Sequence, residues 1–161
     1  MIGILSDSHD NLVALRKAVS LFRDAGCELL VHAGDFIAPF AARELEKAGC
    51  PVKAVFGNCD GEKKGLVSAL KGFGKVREAP WVFEHRGTRI FLAHLDGAVA
   101  NAVAKRAYDI VIYGHTHKPE VRVSGPALVV NPGETGGWLS GKGTVALFDP
   151  ATGRAEIIGI G

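Results

Sequence analysis

Three short apolar runs in the first sixty residues most constrain the fold of this chain. They are Met1–Leu5, Glu28–His32 and Pro51–Phe56, and each ends in glycine or polar residues. Such runs are typical of strands buried in a parallel sheet. Between them, apolar residues recur at the spacing of amphipathic helices. The resulting order, βαβαβ, predicts a parallel sheet whose strands are joined by crossover helices.

The second half of the chain is richer in predicted strands. Trp81–His85 and Thr88–Ala93 flank Arg86-Gly87 and predict a hairpin. A helix predicted over Gly97–Tyr108 leads into a strand over Asp109–Tyr113. Four more strands are predicted, over Glu120–Val123, Ala127–Asn131, Thr144–Phe148 and Arg154–Ile160. We therefore expect an α/β fold in which a second sheet packs on the first, with helices outside.

Length, charge and cysteine content narrow the class of protein. A chain of 161 residues accommodates one domain, which we expect to span residues 1–161. A formal net charge of +2 gives no electrostatic sign of a dedicated nucleic-acid surface or membrane partner. No apolar run is long enough to cross a membrane, and the first residues resemble a strand rather than a signal peptide. Three cysteines without metal-type spacing favour the reducing cytoplasm.

Side chains that bind metals follow the predicted core strands. They are Asp7, His9, Asp35, Asn58, His94, His115 and His117. Because ligands of open α/β folds bind at the carboxyl ends of parallel strands, we expect all seven to meet at one edge. Nitrogen and oxygen donors of this kind suit Mn, Fe, Co, Ni or Zn. Seven donors exceed the needs of one ion but serve two ions if one carboxylate bridges them.

Each of these residues also has an ordinary structural interpretation. The two aspartates can cap helices, Asn58 follows a glycine as many turn residues do, and His94 can be a hydrogen-bonded core histidine. A His-x-His pair is commonly a turn with one packed and one exposed ring. Two other histidines are expected outside the metal centre: His32 lies within a predicted strand and should be packed, and His85 precedes a hairpin turn and should lie on the surface.

The motifs together resemble the calcineurin-like metallophosphoesterase superfamily. They are Asp7-Ser8-His9, Gly34-Asp35, Gly57-Asn58-Cys59-Asp60, His94 and Gly114-His115-Thr116-His117. Gly57-Asn58-Cys59-Asp60 and Asn131-Pro132-Gly133 are similar to its small prokaryotic phosphodiesterases, the YfcE/MJ0936 type. The resemblance covers nearly the whole chain in motif order and spacing. It implies a four-layer α/β/β/α sandwich of two mixed sheets.

The resemblance also implies a dinuclear metal centre and an activity. One divalent ion would be held by Asp7, His9, Asp35 and His117, and the other by Asp35, Asn58, His94 and His115. Manganese is the expected metal, with nickel, iron, cobalt or zinc as alternatives. The implied reaction is hydrolysis of a small phosphodiester by a hydroxide that bridges the ions, with Asn58, Cys59, Asp60 and His94 as the catalytic candidates. A homodimer is also implied. Two alternatives stay open: a phosphomonoesterase, and a non-catalytic protein-binding scaffold like the retromer subunit of this fold.

Three positions depart from the pattern of the superfamily. Many members have a histidine at the position of Cys59 that protonates the leaving group, and a thiol is a poor substitute. Substrates with good leaving groups are therefore expected to be preferred. Leu95-Asp96 follows His94 where glycine is usual, so the backbone there should differ, and Asp96 becomes a candidate partner of the metal centre or of the substrate. Glu134 stands where a small serine is usual. Trp138, nearby, is a candidate pocket wall, subunit contact or surface residue.

Overall fold

Two mixed β-sheets form the centre of the molecule in the computed structural model, which describes residues 1–161. The first sheet has the order β11-β10-β1-β2-β3-β4 and consists of β1 (Ile2–Leu5), β2 (Leu29–His32), β3 (Val52–Val55), β4 (Gly74–Arg77), β10 (Thr144–Asp149) and β11 (Arg154–Gly159). The second has the order β5-β6-β7-β9-β8 and consists of β5 (Trp81–His85), β6 (Thr88–Leu92), β7 (Ile110–Ile112), β8 (Glu120–Ser124) and β9 (Ala127–Asn131).

The parallel strands lie side by side within each sheet. β1, β2, β3 and β4 pair in parallel, as do β6, β7 and β9, while the remaining pairs are antiparallel. The predicted βαβαβ order is therefore confirmed. β4 was not predicted because Val76 is its only fully buried side chain and two of its four residues are exposed and charged. Such a strand, at the edge of the sheet, has no run of apolar residues to reveal it.

Helices connect the strands and cover the outer faces. They are α1 (Leu12–Asp24), α2 (Pro39–Ala42), α3 (Lys63–Leu70) and α4 (Val99–Ala104), with 3₁₀ turns over Arg43–Ala48 and Asp96–Ala98. The side chain of Asn11 caps α1 by accepting a hydrogen bond from the Ala14 N–H at 3.1 Å. The helix predicted over Gly97–Tyr108 is shorter than expected, because the backbone turns to a left-handed conformation at Arg106. None of the helices has the length and apolar character needed to cross a bilayer.

Three buried clusters define four layers. One cluster joins the facing sides of the two sheets, for example Ile4 and Val31 with Ile90 and Ile112. A second joins the opposite side of the first sheet to α1, α2 and α3, and a third joins the opposite side of the second sheet to α4. Because successive side chains of a strand point to opposite faces, each central strand contributes to two clusters. The expected α/β/β/α sandwich of two mixed sheets is confirmed.

The packing of the sheets also brings their strand ends together. Predicted metal-binding residues follow β1, β2 and β3 of the first sheet and β6 and β7 of the second. Within each sheet these strands run parallel to one another, so the loops after them lie on one edge. Direct contacts between the residues of these loops across both sheets show that the two edges meet.

Candidate metal centre

Two carboxylates at this edge each have one oxygen that accepts a backbone hydrogen bond and a second oxygen that does not. Oδ2 of Asp7 accepts a hydrogen bond from the His115 N–H at 3.0 Å, and Oδ1 of Asp35 accepts one from the Cys59 N–H at 2.8 Å. Both residues are buried, and Oδ1 of Asp7 has no hydrogen-bond partner. The backbone contacts thus fix each carboxylate while leaving one oxygen available to a cation.

The first group of donors surrounds the free oxygen of Asp7. Oδ1 of Asp7 lies 3.3 Å from Nε2 of His117 and 3.9 Å from Nε2 of His9. Nε2 of His9 is itself buried without a hydrogen-bond partner. Buried polar atoms normally have a hydrogen-bond partner. Two buried atoms that lack one and face each other therefore indicate a site suited to a cation. One donor atom from each of the three residues lies within 4.8 Å of the others.

The second group is centred on the side-chain oxygen of Asn58. Oδ1 of Asn58 lies 2.8 Å from Nε2 of His94 and 2.9 Å from Nδ1 of His115. The Nδ1 proton of His94 is donated to the Ala33 carbonyl at 2.7 Å, so a neutral ring presents a lone pair at Nε2. A lone pair and an amide oxygen at this separation repel each other unless a proton or a metal ion lies with them. The geometry therefore favours a cation here as well.

Asp35 lies between the two groups. Its Oδ2 atom is 3.8 Å from Nε2 of His9 and 3.5 Å from Nε2 of His94. Burial alone would raise the pKa of Asp35, but the neighbouring His94 ring and the hydrogen bond from the Cys59 backbone outweigh it and lower the pKa to about 2. Burial raises the pKa of Asp7. Asp35 is thus ionised at neutral pH, and its free oxygen is placed to serve both groups.

All seven predicted donors meet at one site, and their chemistry fits divalent ions. Unpaired buried atoms, facing acceptors and a shared carboxylate are each explained by bound cations. The donors are imidazole, carboxylate and amide groups, the set preferred by Mn, Fe, Co, Ni and Zn rather than by a sulfur-bound structural zinc. The structure brings these residues together, while their assignment to individual ions stays a prediction.

Five of the seven donors have a left-handed backbone. The φ angles are 53° at Asp7, 40° at His9, 62° at Asp35, 67° at His115 and 58° at His117. Residues other than glycine adopt this region at a cost of about 1–3 kcal/mol each and persist in it only where the surroundings enforce it. Backbone hydrogen bonds between the loops do so here, since Asp7 donates to the Gly34 carbonyl at 3.0 Å and His9 to the Asp35 carbonyl at 3.1 Å.

Two glycines allow the loops to approach the carboxylates. A Cβ atom on Gly57 would collide with Oδ1 of Asp35, and one on Gly114 would collide with Ser6 and approach Oδ2 of Asp7. Both glycines belong to motifs that the sequence analysis singled out, and the structure gives the physical reason. Close contact between backbone and carboxylate is what fixes the orientation of each aspartate.

Asp60 lies beneath the centre rather than in it. Its buried carboxylate accepts hydrogen bonds from the N–H groups of Gly57 at 2.7 Å, Asp35 at 2.9 Å and Ile37 at 2.9 Å. With both oxygens occupied by backbone groups, the side chain holds the two loops that carry Asp35 and Asn58. The sequence identified Asp60 as a catalytic candidate, and these contacts correspond instead to a positioning residue.

Asn131 has a similar role that the sequence analysis did not assign. Its Nδ2 atom donates to the Gly114 carbonyl at 2.9 Å and to Oγ1 of Thr116 at 3.0 Å, and its Oδ1 atom accepts from the Gly133 N–H at 2.8 Å. It thereby holds the loop that carries His115 and His117. The Asn131-Pro132-Gly133 motif was the only signal in the sequence.

His32 is packed, as expected. Its Nδ1 atom accepts from the Gly34 N–H at 3.1 Å, so the proton lies on Nε2, 3.1 Å from Oγ of Ser8, and its ring stacks on Phe36 at 3.5 Å between centroids. His85 is half-buried rather than exposed, with Nε2 3.3 Å from Oε1 of Glu28. Neither ring takes part in the metal centre.

The burial of His32 predicts acid sensitivity of the metal-free protein. Burial lowers the pKa of His32 from 6.5 to about 3, so the folded state binds fewer protons than the unfolded state between these values. The free energy of unfolding must therefore decrease as the pH falls through 6.5, by about 2 kcal/mol between pH 7 and pH 5. Urea unfolding in chelator should show this loss, and the His32→Gln variant should lack it. Equal pH dependence in the two proteins would contradict the interpretation.

A pocket of about 440 Å³ opens over the centre. Besides five of the donors, it is lined by Cys59, Glu134, Trp138 and Leu139. Nε1 of Trp138 donates to the His9 carbonyl at 3.0 Å, which fixes the indole ring as a wall of this pocket. Cys59 is exposed at its rim, and burial together with Asp35 raises the pKa of its thiol. Asp96 lines a different cleft, beside Val99 and Tyr113.

Comparison with known families and sequences places this geometry in a wider group. The family model of the calcineurin-like phosphoesterase superfamily domain matches residues 1–153. The chain is 36% identical to phosphodiesterase MJ0936 of Methanocaldococcus jannaschii over 152 residues, which are 92% of each protein. It is 32% identical to phosphodiesterase YfcE of Escherichia coli K12 over 146 residues, which are 80% of this chain and 75% of that protein.

Solved structures have the same architecture. A novel archaeal phosphodiesterase superimposes with a TM-score of 0.93 at 34% identity, over 98% of both chains. YfcE of E. coli superimposes with a TM-score of 0.69 at 22% identity, over 99% of both chains. Wild-type Vps29 of Entamoeba histolytica, solved with Zn²⁺, gives 0.69 at 18% identity, over 99% of both chains. At these lower identities the last two likenesses concern the fold alone.

Proposed function

The chain belongs to the calcineurin-like phosphoesterase superfamily and is a metal-dependent phosphoesterase, and from this premise we propose that it hydrolyses phosphodiesters at a centre of two divalent ions. The position of Asp35 carries the proposal. Its free oxygen lies between two separate sets of donors, 3.8 Å from one imidazole and 3.5 Å from another. A single ion would leave one of these sets without a partner.

In the proposed arrangement each ion has four protein donors. Asp7, His9, Asp35 and His117 hold one ion, and Asp35, Asn58, His94 and His115 hold the other. Manganese is the proposed metal, with nickel, iron, cobalt and zinc as alternatives that share the same donor preference. When bound, the two ions would lower the pKa of a shared water to give the attacking hydroxide and would neutralise charge on the phosphoryl oxygens.

The residues of the chain prepare this chemistry. The protein donors contribute only the two negative charges of Asp7 and Asp35, so a centre that holds two divalent ions is electropositive and attracts an anionic ester. Asn58 and His94 would lie beside the reacting group because they would hold the second ion. Cys59, exposed at the rim of the pocket, is the group proposed to face a leaving oxygen.

The lining of the pocket favours a diester over a monoester. A phosphomonoester carries about 1.5 to 2 negative charges at neutral pH, and a diester carries about one. No lysine or arginine lines the pocket to neutralise the additional charge. Trp138 and Leu139 provide apolar surface for a second organic substituent, which a monoester lacks. The named relatives MJ0936 and YfcE are themselves called phosphodiesterases.

Metal content and hydrolysis together test the proposal. The purified protein should bind two equivalents of Mn²⁺ after treatment with chelator and reloading, and should hydrolyse bis(aryl) phosphate faster than the aryl monoester. Using the same aryl leaving group in both esters removes leaving-group chemistry as a cause. A protein that binds no transition metal and stays inert with added Mn²⁺ would refute the proposal and favour a protein-binding scaffold. Faster cleavage of the monoester would favour a phosphomonoesterase.

Cys59 predicts a steep dependence on the leaving group. Because its thiol donates only weak hydrogen bonds, the leaving group itself must stabilise most of the negative charge that develops on the departing oxygen. Across aryl diesters of rising phenol pKa, kcat/KM should fall steeply, and Cys59→His should flatten the slope by supplying an acid. Cys59→Ala, which removes the donor, serves as the control and should leave the slope steep. A flat dependence in the unmodified protein would contradict this role.

The cytoplasm is the proposed location of this activity. The three cysteines are all unpaired, and Cys59 is exposed within the pocket, where oxidation would alter it. Free thiols of this kind persist in reducing compartments.

A further inference from the structure

Glu134 is buried between the metal centre and the wall of the pocket. Its side chain is inaccessible to solvent, and Oε1 lies 3.3 Å from Nδ1 of His117. Both oxygens accept from the N–H of Leu139, at 2.9 and 3.1 Å, and Oε2 also accepts from the N–H of Ser140 at 2.9 Å. One carboxylate thus touches a proposed metal ligand on one side and the Trp138–Leu139 segment on the other.

The ring of His117 is confined between two carboxylates. Nε2 lies 3.3 Å from Oδ1 of Asp7, and Nδ1, which has no other hydrogen-bond partner, faces Glu134. A neutral imidazole has one proton, so one of its nitrogens must face a carboxylate with a lone pair. With the proton on Nδ1, His117 satisfies Glu134 and directs the Nε2 lone pair toward Asp7 Oδ1, where only a cation relieves the repulsion. Glu134 therefore selects the tautomer that binds a metal through Nε2.

Glu134 also holds the turn that forms the pocket wall. The Leu139 and Ser140 N–H groups point at the carboxylate, so the turn closes around a buried negative charge. Trp138 and Leu139 are largely exposed and line the pocket over the metal centre. The wall is also tied to the centre by the contact of Trp138 with the His9 carbonyl and, just before the wall, by the hydrogen bond from the Gly136 N–H to the Asp7 carbonyl at 3.0 Å.

We propose that Glu134 is a positioning residue that couples the metal centre to the substrate pocket, fixing the tautomer of His117 with one oxygen and the Trp138–Leu139 wall with both. This inference rests on the proposed function, since it assigns His117 to a metal ion. Carboxylates that orient metal-binding imidazoles change metal affinity by about 10–100-fold when removed. A side chain that also holds the wall should, in addition, change substrate binding.

Glu134→Gln separates the two roles. The amide oxygen of glutamine can accept from Leu139 and Ser140, so the wall is retained. Its NH₂ group then faces Nδ1 of His117 as a donor and favours the opposite tautomer, with the proton on Nε2. The Gln variant should therefore bind one of the two ions about 10–100-fold more weakly while KM at saturating metal stays near that of the unmodified protein. Glu134→Ala should weaken the same ion and also raise KM several-fold.

The first readout is metal affinity, measured by calorimetric titration of the protein after chelator has removed its metal. In Glu134→Gln, the affinity for the ion proposed beside Asn58 should stay near that of the unmodified protein, because Glu134 contacts none of the residues assigned to that ion. Trp138→Ala is the control for the wall: it should raise KM and leave both metal affinities unchanged. Circular dichroism and thermal unfolding of each metal-free variant establish that it is folded, and the Gln variant, which keeps the volume of the side chain, carries the test if the Ala variant does not fold.

Two results would overturn the inference while leaving the proposed function intact. One is unchanged affinity for both ions in Glu134→Gln and Glu134→Ala. The other is an equal loss of affinity for both ions in Glu134→Gln, which would indicate a general structural effect rather than an effect through His117. If the unmodified protein itself binds no metal, it is the proposed function that fails, and the titration of the unmodified protein reveals this before any variant is made.

Discussion

Replacing Asp35 with alanine should remove both metal ions and lower the rate of diester hydrolysis by more than about 10³-fold, well beyond the 10–100-fold typical of an outer-sphere partner. The free oxygen of Asp35 lies near both groups, 3.8 Å from Nε2 of His9 and 3.5 Å from Nε2 of His94. The three donors left to each ion would be neutral at the second site and would carry a single charge at the first. Neither set retains the shared anion that screens two cations from each other.

Asp7→Ala is the matched control for this variant. Asp7 is also a buried aspartate with one oxygen held by a backbone N–H, and its free oxygen lies 3.3 Å from Nε2 of His117 in the first group. Elemental analysis of the reloaded proteins should find nearly no metal in Asp35→Ala and one ion retained in Asp7→Ala. A full equivalent of tightly bound metal in Asp35→Ala would show that Asp35 serves one ion only.

His115→Ala and His117→Ala should each empty a different metal position. Nδ1 of His115 lies 2.9 Å from Oδ1 of Asn58, whereas Nε2 of His117 lies 3.3 Å from Oδ1 of Asp7. Each variant should retain one tightly bound ion and lose hydrolysis by about 10²-fold or more, because attack on the phosphoryl group requires both ions. The double variant should retain neither.

Anomalous scattering from crystals of the two single variants, loaded with manganese, identifies which position is lost. The position beside Asn58 should be empty in His115→Ala, and the position beside Asp7 should be empty in His117→Ala. Loss of the same position in both variants would refute the division of donors between the ions. Loss of fold is excluded as a cause by comparing the thermal unfolding of the metal-free proteins.

Much of the fold follows from local patterns in the sequence. The apolar runs that became β1, β2 and β3 are short and end in glycine or polar residues, so they are readily identified as buried strands. β4 escapes such an analysis because its stability comes from pairing with β3 rather than from apolar residues of its own. The early end of α4 likewise depends on a left-handed residue, Arg106, that no local signal marks.

The candidate centre was predictable in its donors but not in their supports. The donors follow the ends of parallel strands, and the packing of the two sheets brings those ends together. The positions of the seven side chains in the sequence were therefore sufficient to predict that they meet. Asp60, Asn131 and Glu134 hold the loops that carry those donors. The contacts of Asn131 and Asp60 are made to residues 15 and 25 positions away in the chain, and Glu134 binds a nearby backbone group that the sequence does not distinguish from its neighbours. An acidic residue in a loop carries no sign of whether it faces a pocket or a set of backbone N–H groups. This is why Asp60 was expected among the catalytic residues and Glu134 was not expected to have a role.

The left-handed backbone of five donors has a consequence for how such a protein can change over time. Glycine occupies this region more easily than other residues, so replacing a donor with glycine would relieve strain while destroying a ligand. Selection for folding and selection for chemistry therefore oppose each other at Asp7, His9, Asp35, His115 and His117. A descendant freed from catalysis would be expected to gain stability first at these five positions. Glycine there would distinguish a sandwich of this kind that has become a binding partner from one that is still a hydrolase.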